Sequence, residues 1–238
     1  MRNKLITYSV LGVCVLAVIC APGYRDIVTT VGQLSSQPVI LIDPGHGGMD
    51  GGAEAADGTL EKDINLSISL LLQKQLKKQG MRVIMTRSDD RGLYESSGDA
   101  SIRTMKTEDM KKRKNIIDET GPDLCVSIHM NSFTEDTTVH GAQVFYPSEG
   151  GDEPVAESGR AARIIQKALN SSVNRDKARA ELGKNDVFLL RNITCPTVIV
   201  ECGFMSSREE SRKLRNTSYQ AKLAGVISKS ICKYIEEK

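Results

Sequence analysis

The chain has 238 residues, of which 39% are hydrophobic and 26% are charged. This balance is typical of a folded domain and excludes an intrinsically disordered chain. The formal net charge is only +2, and with no tryptophan, six tyrosines and four phenylalanines the chain offers few aromatic stacking platforms. We therefore expect no nucleic-acid partner.

The N-terminus forms a segment of its own. Two basic residues precede a mostly uncharged stretch over residues 5–21, which as a helix would measure about 26 Å, close to the thickness of a bilayer core. The pattern predicts a signal peptide or membrane anchor over residues 1–21, and an uncleaved anchor is favoured because no small-x-small cleavage site follows. A polar linker over residues 22–37 leads to the main domain, residues 38–238, which we expect on the extracytoplasmic side of the membrane.

After the linker, apolar runs that suit strands alternate with segments of helical periodicity. Strands are predicted at residues 38–43, 81–87, 123–131, 141–146 and 197–201. Helices are predicted at residues 61–80, 102–119, 154–172 and 219–236. The alternation predicts an α/β fold, with a single domain in which helices flank both faces of a mostly parallel twisted sheet. The basic run at residues 111–114 is interpreted as a solvated helix face.

Two of the six cysteines lie in the N-terminal segment. The other four are Cys125, Cys195, Cys202 and Cys232, and no two of them form a C-x-x-C pair, which excludes a structural zinc finger. Cys195 and Cys202 flank a predicted strand and would lie about 23 Å apart, too far for a disulfide. We therefore expect these cysteines to be small core residues.

Four ionisable side chains stand at the ends of the predicted elements. His46 and His129 follow strands, Glu61 opens the first long helix, and Glu201 ends the last strand. In open α/β sheets, ligands gather at the carboxyl ends of the strands. Two imidazoles and one carboxylate form a common hydrolytic zinc set, and a second carboxylate can accept a proton from water. The sequence therefore predicts a hydrolytic Zn²⁺ centre.

Other residues compete for these roles. Asp63 could supply the carboxylate in place of Glu61, whereas His140 lies in a polar turn and is interpreted as a surface residue. A phosphate-binding loop is disfavoured, because "PGHGGMDGG" lacks both the Lys-Ser/Thr of a P-loop and the third glycine of a dinucleotide-binding motif. Its glycines would instead let the backbone fold closely around a metal.

Four ordered motifs cover nearly the whole chain from about residue 39 onward. They are ILIDPGHGGMDGGA, LEKDINL, DLCVSIHMNS and PTVIVECGFMSS. These motifs resemble those of the zinc-dependent N-acetylmuramoyl-L-alanine amidases of the amidase 3 type, which are cell-wall hydrolases. The resemblance implies a set of zinc ligands composed of His46, Glu61 and His129. It also implies that Glu201 is the catalytic base, that Asn131 lines the site, and that Arg191 contacts the substrate.

The reaction implied by this resemblance is hydrolysis of the amide between the lactyl group of N-acetylmuramic acid and L-alanine of the stem peptide. The partners would be the glycan strands and stem peptides of peptidoglycan. A short, anchored single-domain enzyme most resembles the germination-type amidases of spore-forming bacteria, which act on cortex peptidoglycan so that muramic δ-lactam can form. Because the chain has no wall-binding repeats, activity is expected to depend on an activating protein partner.

Two other functions compete with this one. The first is a non-catalytic wall-binding or regulatory protein on the same fold, and the complete metal set together with Glu201 argues against it. The second is a zinc peptidase acting on stem peptides. Such enzymes also hold zinc at strand ends, but their motifs differ from those of this chain.

Overall fold

A computed structural model describes residues 37–95, 100–150 and 152–238. The predicted membrane segment over residues 1–21, and nearly all of the predicted linker, lie outside these residues. Within the described ranges, no helix is both long enough and apolar enough to cross a bilayer. The membrane segment therefore stays a prediction from the sequence.

One six-stranded sheet organises the described part of the chain. Its strands are β1 (Val39–Pro44), β2 (Arg82–Met85), β3 (Leu124–Asn131), β4 (Gln143–Pro147), β5 (Leu182–Lys184) and β6 (Thr197–Phe204). They lie in the order β2-β1-β3-β6-β4-β5. Each neighbouring pair is parallel except β4 with β6. The predicted parallel arrangement is confirmed for most of the sheet, and the reversed direction of β4 and β5 makes the sheet mixed.

Five α-helices flank the sheet within the described ranges. They are α1 (Glu61–Lys78), α2 (Ile102–Thr120), α3 (Glu153–Ser172), α4 (Arg208–Leu214) and α5 (Thr217–Glu236). Helices α1, α3 and α5 pack together over the larger core on one face of the sheet. Helix α2 and the 3-10 turn Phe188–Leu190 cover the other face around a smaller cluster. The prediction of an α/β domain with helices on both faces is therefore confirmed.

The central strands are buried on both faces. In β1, Ile40 and Ile42 belong to the larger core, and Leu41 between them belongs to the smaller cluster. This two-sided burial explains why the strand is a continuous apolar run rather than an alternating one. Three of the cysteines predicted to lie in the core are buried and free: Cys125, Cys195 and Cys202. Cys232 is only partly buried.

Two short elements were not predicted from the sequence. Strand β5 has three residues and helix α4 has seven, and neither is long enough to display a reliable periodicity. Strand β6 also continues beyond Glu201 to Phe204, before the chain turns into α4. Helix α4 follows β6 at the end of the sheet where the candidate site lies, whereas β5 runs parallel to β4 and away from that end.

Candidate metal centre

His46 lies on the loop after β1 and has a left-handed backbone, with a φ of 59°. This conformation is uncommon for a residue that has a side chain. The loop is closed by two backbone hydrogen bonds between Gly47 and Asp50, and Oδ2 of Asp50 lies 2.8 Å from Nδ1 of His46. Asp50 thereby orients the imidazole ring and leaves Nε2 available to a metal.

Glu61 is the first residue of α1, and only 3% of its surface is exposed. Its Oε1 accepts a hydrogen bond from the backbone N–H of Met130, and its Oε2 accepts one from the N–H of Ala53, each at 2.9 Å. Within the described ranges, only histidines lie at ion-pair distance from this carboxylate. A buried carboxylate without a permanent cationic partner is costly, so the position favours a bound cation.

His46, Glu61 and His129 converge at the carboxyl ends of β1 and β3. Nε2 of His46 lies 3.3 Å from Oε2 of Glu61, and Nδ1 of His129 lies 3.1 Å from Oε1 of Glu61. One ligand atom from each residue lies within 4.8 Å of the other two. Metal–ligand bonds of about 2.0 to 2.2 Å in a tetrahedron separate the ligand atoms by about 3.4 Å. The three side chains therefore fit a tetrahedral ion such as Zn²⁺, with one position left for water or substrate.

The pKa values of the ligands reflect their proximity. Burial lowers the pKa of His46, but the hydrogen bonds and charges of Asp50 and Glu61 outweigh it and raise this pKa to about 9. Burial raises the pKa of Glu61, but the hydrogen bonds and charges of His129 and His46 hold it well below its usual range. The negative field that keeps a proton on His46 also favours a divalent cation, whose binding would displace that proton.

Two glycines make room for the candidate ligands. A Cβ atom at Gly45 would lie 2.2 Å from Cε1 of His129. At Gly52, where φ is 71°, a Cβ atom would lie 2.6 Å from Oε2 of Glu61. At both positions a side chain would displace a ligand, which gives the glycine-rich loop a steric role in addition to its flexibility.

Two buried arginines hold the end of β1. Arg113 of α2 donates hydrogen bonds to the carbonyls of Pro44 at 2.7 Å and of His46 at 2.6 Å. Arg87, just after β2, donates to the carbonyls of Pro44 at 3.0 Å and of Gly45 at 2.8 Å. Each arginine is only 1% exposed. The backbone that carries His46 is thus held by side chains from two other parts of the chain.

The interpretation of residues 111–114 as a solvated face is wrong for Arg113. Asp109, Arg113 and Ile117 are spaced four residues apart and form the buried face of α2. Arg113 forms ion pairs with Asp43 at 2.6 Å and with Asp109 at 2.5 Å. These two carboxylates and the loop carbonyls provide the partners that allow a charged side chain to be buried in this position.

Glu201 of β6 is the neighbour of His129 of β3 in the sheet register. Its Oε2 is buried and has no hydrogen-bond partner in the described ranges. Burial raises the pKa of Glu201, and the charge of Glu61 adds to this effect, so that the pKa is about 7 despite the opposing effect of the two histidines. A carboxyl group with such a pKa can accept and release a proton near neutral pH.

The two residues predicted to contact the substrate form side-chain hydrogen bonds to residues close to them in the chain. Asn131 ends β3, and its side-chain oxygen accepts a hydrogen bond from the N–H of Ser132 at 2.8 Å. Arg191 is exposed and donates to the carbonyls of Asn185 and Asp186. These hydrogen bonds are local, so the roles of Asn131 and Arg191 stay predictions.

The alternatives to the predicted ligands lie outside the cluster. Asp63 is exposed, and the carboxylate in the candidate metal-binding group is that of Glu61. His140 lies 2.9 Å from Asp176 and 2.7 Å from the carbonyl of Thr138. Its position at the surface is as predicted from the sequence.

Three residues that support the site were not identified from the sequence: Asp50, Arg87 and Arg113. The role of Asp50 depends on the path of an irregular loop, for which the sequence offers no periodic signal. Arg113 did have a signal, because its four-residue spacing from Asp109 and from the apolar Ile117 places all three residues on one helix face.

Comparison with known proteins identifies the family. The model of the family described as N-acetylmuramoyl-L-alanine amidase (Amidase_3) matches residues 40–233. This chain belongs to that family. The match includes all three candidate ligands and Glu201, and it confirms the resemblance that the four sequence motifs indicated.

Several relatives match this amidase over most of its length. The germination-specific N-acetylmuramoyl-L-alanine amidase of Bacillus subtilis (strain 168) is 34% identical over 203 residues, which are 85% of this chain and 82% of the relative. The structure of the CwlD amidase from Clostridioides difficile in complex with the GerS lipoprotein matches this chain with a TM-score of 0.80 and 37% sequence identity. The match covers 85% of this chain and 100% of that one. An N-acetylmuramoyl-L-alanine amidase from Clostridium difficile 630 is 30% identical, with a TM-score of 0.72, and covers 85% and 98% of the two chains.

Proposed function

We propose that this amidase depends on zinc and hydrolyses the amide between the lactyl group of N-acetylmuramic acid and L-alanine of the stem peptide. The proposed zinc ligands are His46, Glu61 and His129. The proposed general base is Glu201, and the proposed catalytic domain covers residues 38–238. The observation that carries the proposal is the convergence of the three ligands next to Glu201, whose buried Oε2 has no hydrogen-bond partner among the described residues.

When bound, zinc would supply Lewis-acid activation of water and of the amide carbonyl. Glu201 would accept the proton of the attacking water at its unpartnered oxygen and then donate it to the nitrogen of the leaving L-alanine. Its pKa of about 7 suits both steps. Asp50 would keep the His46 ring oriented, and Asn131 and Arg191 are proposed to contact the substrate.

The proposed biological substrate is spore cortex peptidoglycan, where removal of stem peptides allows muramic δ-lactam to form. Similarity to the germination-specific amidase of Bacillus subtilis supports this proposal. Export with an N-terminal anchor over residues 1–21 would bring the domain to such a substrate. Similarity to a CwlD amidase that was solved in complex with the GerS lipoprotein supports the proposal of an activating protein partner.

The proposed reaction is tested by digestion of purified peptidoglycan by the zinc-loaded protein, with and without a chelator, followed by mass spectrometry of the released fragments. We expect intact stem peptides with a free L-alanine amino group, and no release after chelation. Shortened stem peptides would indicate a zinc peptidase. Binding to glycan strands without any release would indicate a non-catalytic wall-binding protein.

The proposed base is tested by Glu201→Gln, with Glu236→Gln on the exposed end of α5 as the matched control. We expect Glu201→Gln to abolish peptide release while zinc content and thermal unfolding stay close to those of the wild type. The control should retain full activity. Full peptide release by Glu201→Gln would assign the role of base to another group.

A further inference from the structure

A cavity of about 700 Å³ lies between α4 and the loop that leads to Glu61. Three arginines at α4 line one wall: Arg208, Arg212 and Arg215. The facing wall contains Ala56 and Asp57. None of the candidate metal ligands lines this cavity, so it is a separate feature that the proposed chemistry does not use.

The charges in the cavity are unbalanced. Arg215 is paired with Asp57, and Glu209, the other acidic residue of the lining, is paired with Lys213 at 2.7 Å. Within the described ranges, Arg208 and Arg212 form no ion pair with a carboxylate. Two guanidinium groups therefore remain available in a cavity whose acidic groups already have partners.

Both walls of the cavity belong to chain segments that also lead to or from the candidate metal centre. Asp57 belongs to the segment that connects the candidate ligands His46 and Glu61. Helix α4 begins at Arg208, shortly after the end of β6, the strand that carries Glu201. The cavity therefore lies toward the same end of the sheet as the candidate ligands.

Arginine is suited to carboxylate recognition, because its planar guanidinium donates two parallel hydrogen bonds to the two carboxylate oxygens. We infer that this cavity is a subsite for an acidic stem peptide, in which Arg208 and Arg212 bind a free carboxylate while the scissile amide lies at the metal centre. This inference rests on the proposed amidase function. It adds that the enzyme recognises a free carboxylate of the stem peptide as well as the scissile amide. The location toward the end of the sheet that carries the candidate ligands favours the substrate over an acidic segment of a partner protein.

The test compares two soluble substrates of the same length. One is N-acetylmuramoyl-L-alanyl-γ-D-glutamate with a free α-carboxylate, and the other is the same compound with that carboxylate amidated. The variants are Arg208→Gln, Arg212→Gln and the double variant. The control is Lys229→Gln, which removes an exposed positive charge from the C-terminal half of α5, outside the cavity lining.

For the double variant we expect KM to rise about tenfold on the acidic substrate, the effect of losing a charge-assisted hydrogen bond. KM on the amidated substrate should change less than about twofold, and kcat should be unchanged on both. The wild type and Lys229→Gln should prefer the acidic substrate. An equal loss on both substrates, or no loss on either, would overturn the inference.

Binding without turnover separates this inference from the proposed function. Calorimetry with the free acidic dipeptide L-alanyl-γ-D-glutamate and with its amide should give binding of the acid to the wild type, weakened about tenfold in the double variant. Equal affinities of the two peptides would overturn the inference even if the enzyme were active. Conversely, selective binding of the acid without hydrolysis would leave the subsite intact and contradict the proposed reaction. A defect seen only when a partner protein is added would identify the cavity as a protein-docking surface and overturn the substrate assignment.

Discussion

Nη2 of Arg113 donates a hydrogen bond of 2.6 Å to the backbone carbonyl of His46, a residue 67 positions earlier in the chain. A buried side chain of α2 therefore fixes the backbone of a candidate metal ligand that has a left-handed conformation. The same arginine pairs with the buried Asp43 in the core and supports the backbone of the candidate metal centre.

Replacement of Arg113 by Met should lower both stability and metal affinity. The substitution leaves the buried Asp43 carboxylate without its cation, and removal of one partner from a buried ion pair costs about 3 to 5 kcal/mol. The free energy of unfolding in urea and the zinc affinity are the quantities to measure. Lys112→Met, on the exposed side of the same helix, is the control and should change neither quantity appreciably. Wild-type stability for Arg113→Met would mean that another group compensates the buried carboxylates.

Replacement of Asp50 by Ala should weaken zinc binding with little effect on global stability. Loss of the carboxylate that orients a ligating histidine costs about 10-fold to 100-fold in metal affinity, and Asp50 lies 2.8 Å from Nδ1 of His46. Competition with a fluorescent chelator measures the affinity. Asp50→Asn keeps a hydrogen-bond acceptor and should be intermediate. Asp63→Ala removes an exposed carboxylate nearby and should bind zinc like the wild type; a loss as large as that of Asp50→Ala would return Asp63 to consideration as a ligand.

Replacement of Gly45 by Ala should displace His129. The added Cβ atom would lie 2.2 Å from the ring, and overpacking of this kind costs about 1 to 3 kcal/mol. We expect a lower unfolding temperature and impaired zinc binding. Gly225→Ala in α5 is a matched control, because its nearest neighbour would lie at an ordinary 3.6 Å and alanine is the better helix former, by about 0.5 to 1 kcal/mol. Normal zinc affinity in Gly45→Ala would show that the ring can move without loss of coordination.

Asp43 should make stability dependent on pH in the acid range. Burial raises the pKa of Asp43, but the charge of Arg113 and hydrogen bonds from Ser127 and Thr86 lower it to about 2, from an ordinary value of 3.8. Because the pKa is lower in the folded state, the unfolded state binds more protons in this range. The stabilisation is therefore complete above about pH 4 and is lost as the pH falls through about 2.

The lowered pKa of Asp43 contributes about 2 kcal/mol to the free energy of unfolding above about pH 4. It can be measured as the difference in pH dependence between the wild type and Asp43→Asn, with the free energy of unfolding determined in urea from pH 2 to pH 6. The wild type should lose more stability over this range than the variant, because only the wild type has this carboxylate to protonate. Parallel curves for the two proteins would contradict the low pKa.

The positions of the candidate ligands could be predicted because regular elements determine them. His129 and Glu201 lie at matching positions of adjacent parallel strands, and Glu61 is the first residue of a helix. Once the strand and helix boundaries were inferred, these side chains were expected at the same end of the sheet. The direction of β4 was not predicted, since a strand pattern does not reveal which neighbour the strand pairs with.

The supporting residues were harder to predict because their roles depend on tertiary packing. Lys111 and Lys112 are exposed, whereas Arg113 beside them is buried, so the composition of the basic run gave the wrong interpretation for one residue. Asp50 contacts His46 only because the intervening glycine-rich loop folds back on itself. Such contacts depend on a loop path that local sequence preference does not determine.

The antiparallel pairing of β4 with β6 has a consequence for how this architecture can vary. Because β4 runs back from the end of the sheet where β3 finishes, the connecting residues 132–142 both leave and rejoin the sheet at the end where the candidate metal ligands lie. An insertion in this connection would add residues at the end of the sheet that carries the candidate ligands, without any change in the order of the strands. Substrate access can therefore be altered by lengthening one loop, while the scaffold that holds the ligands keeps its geometry.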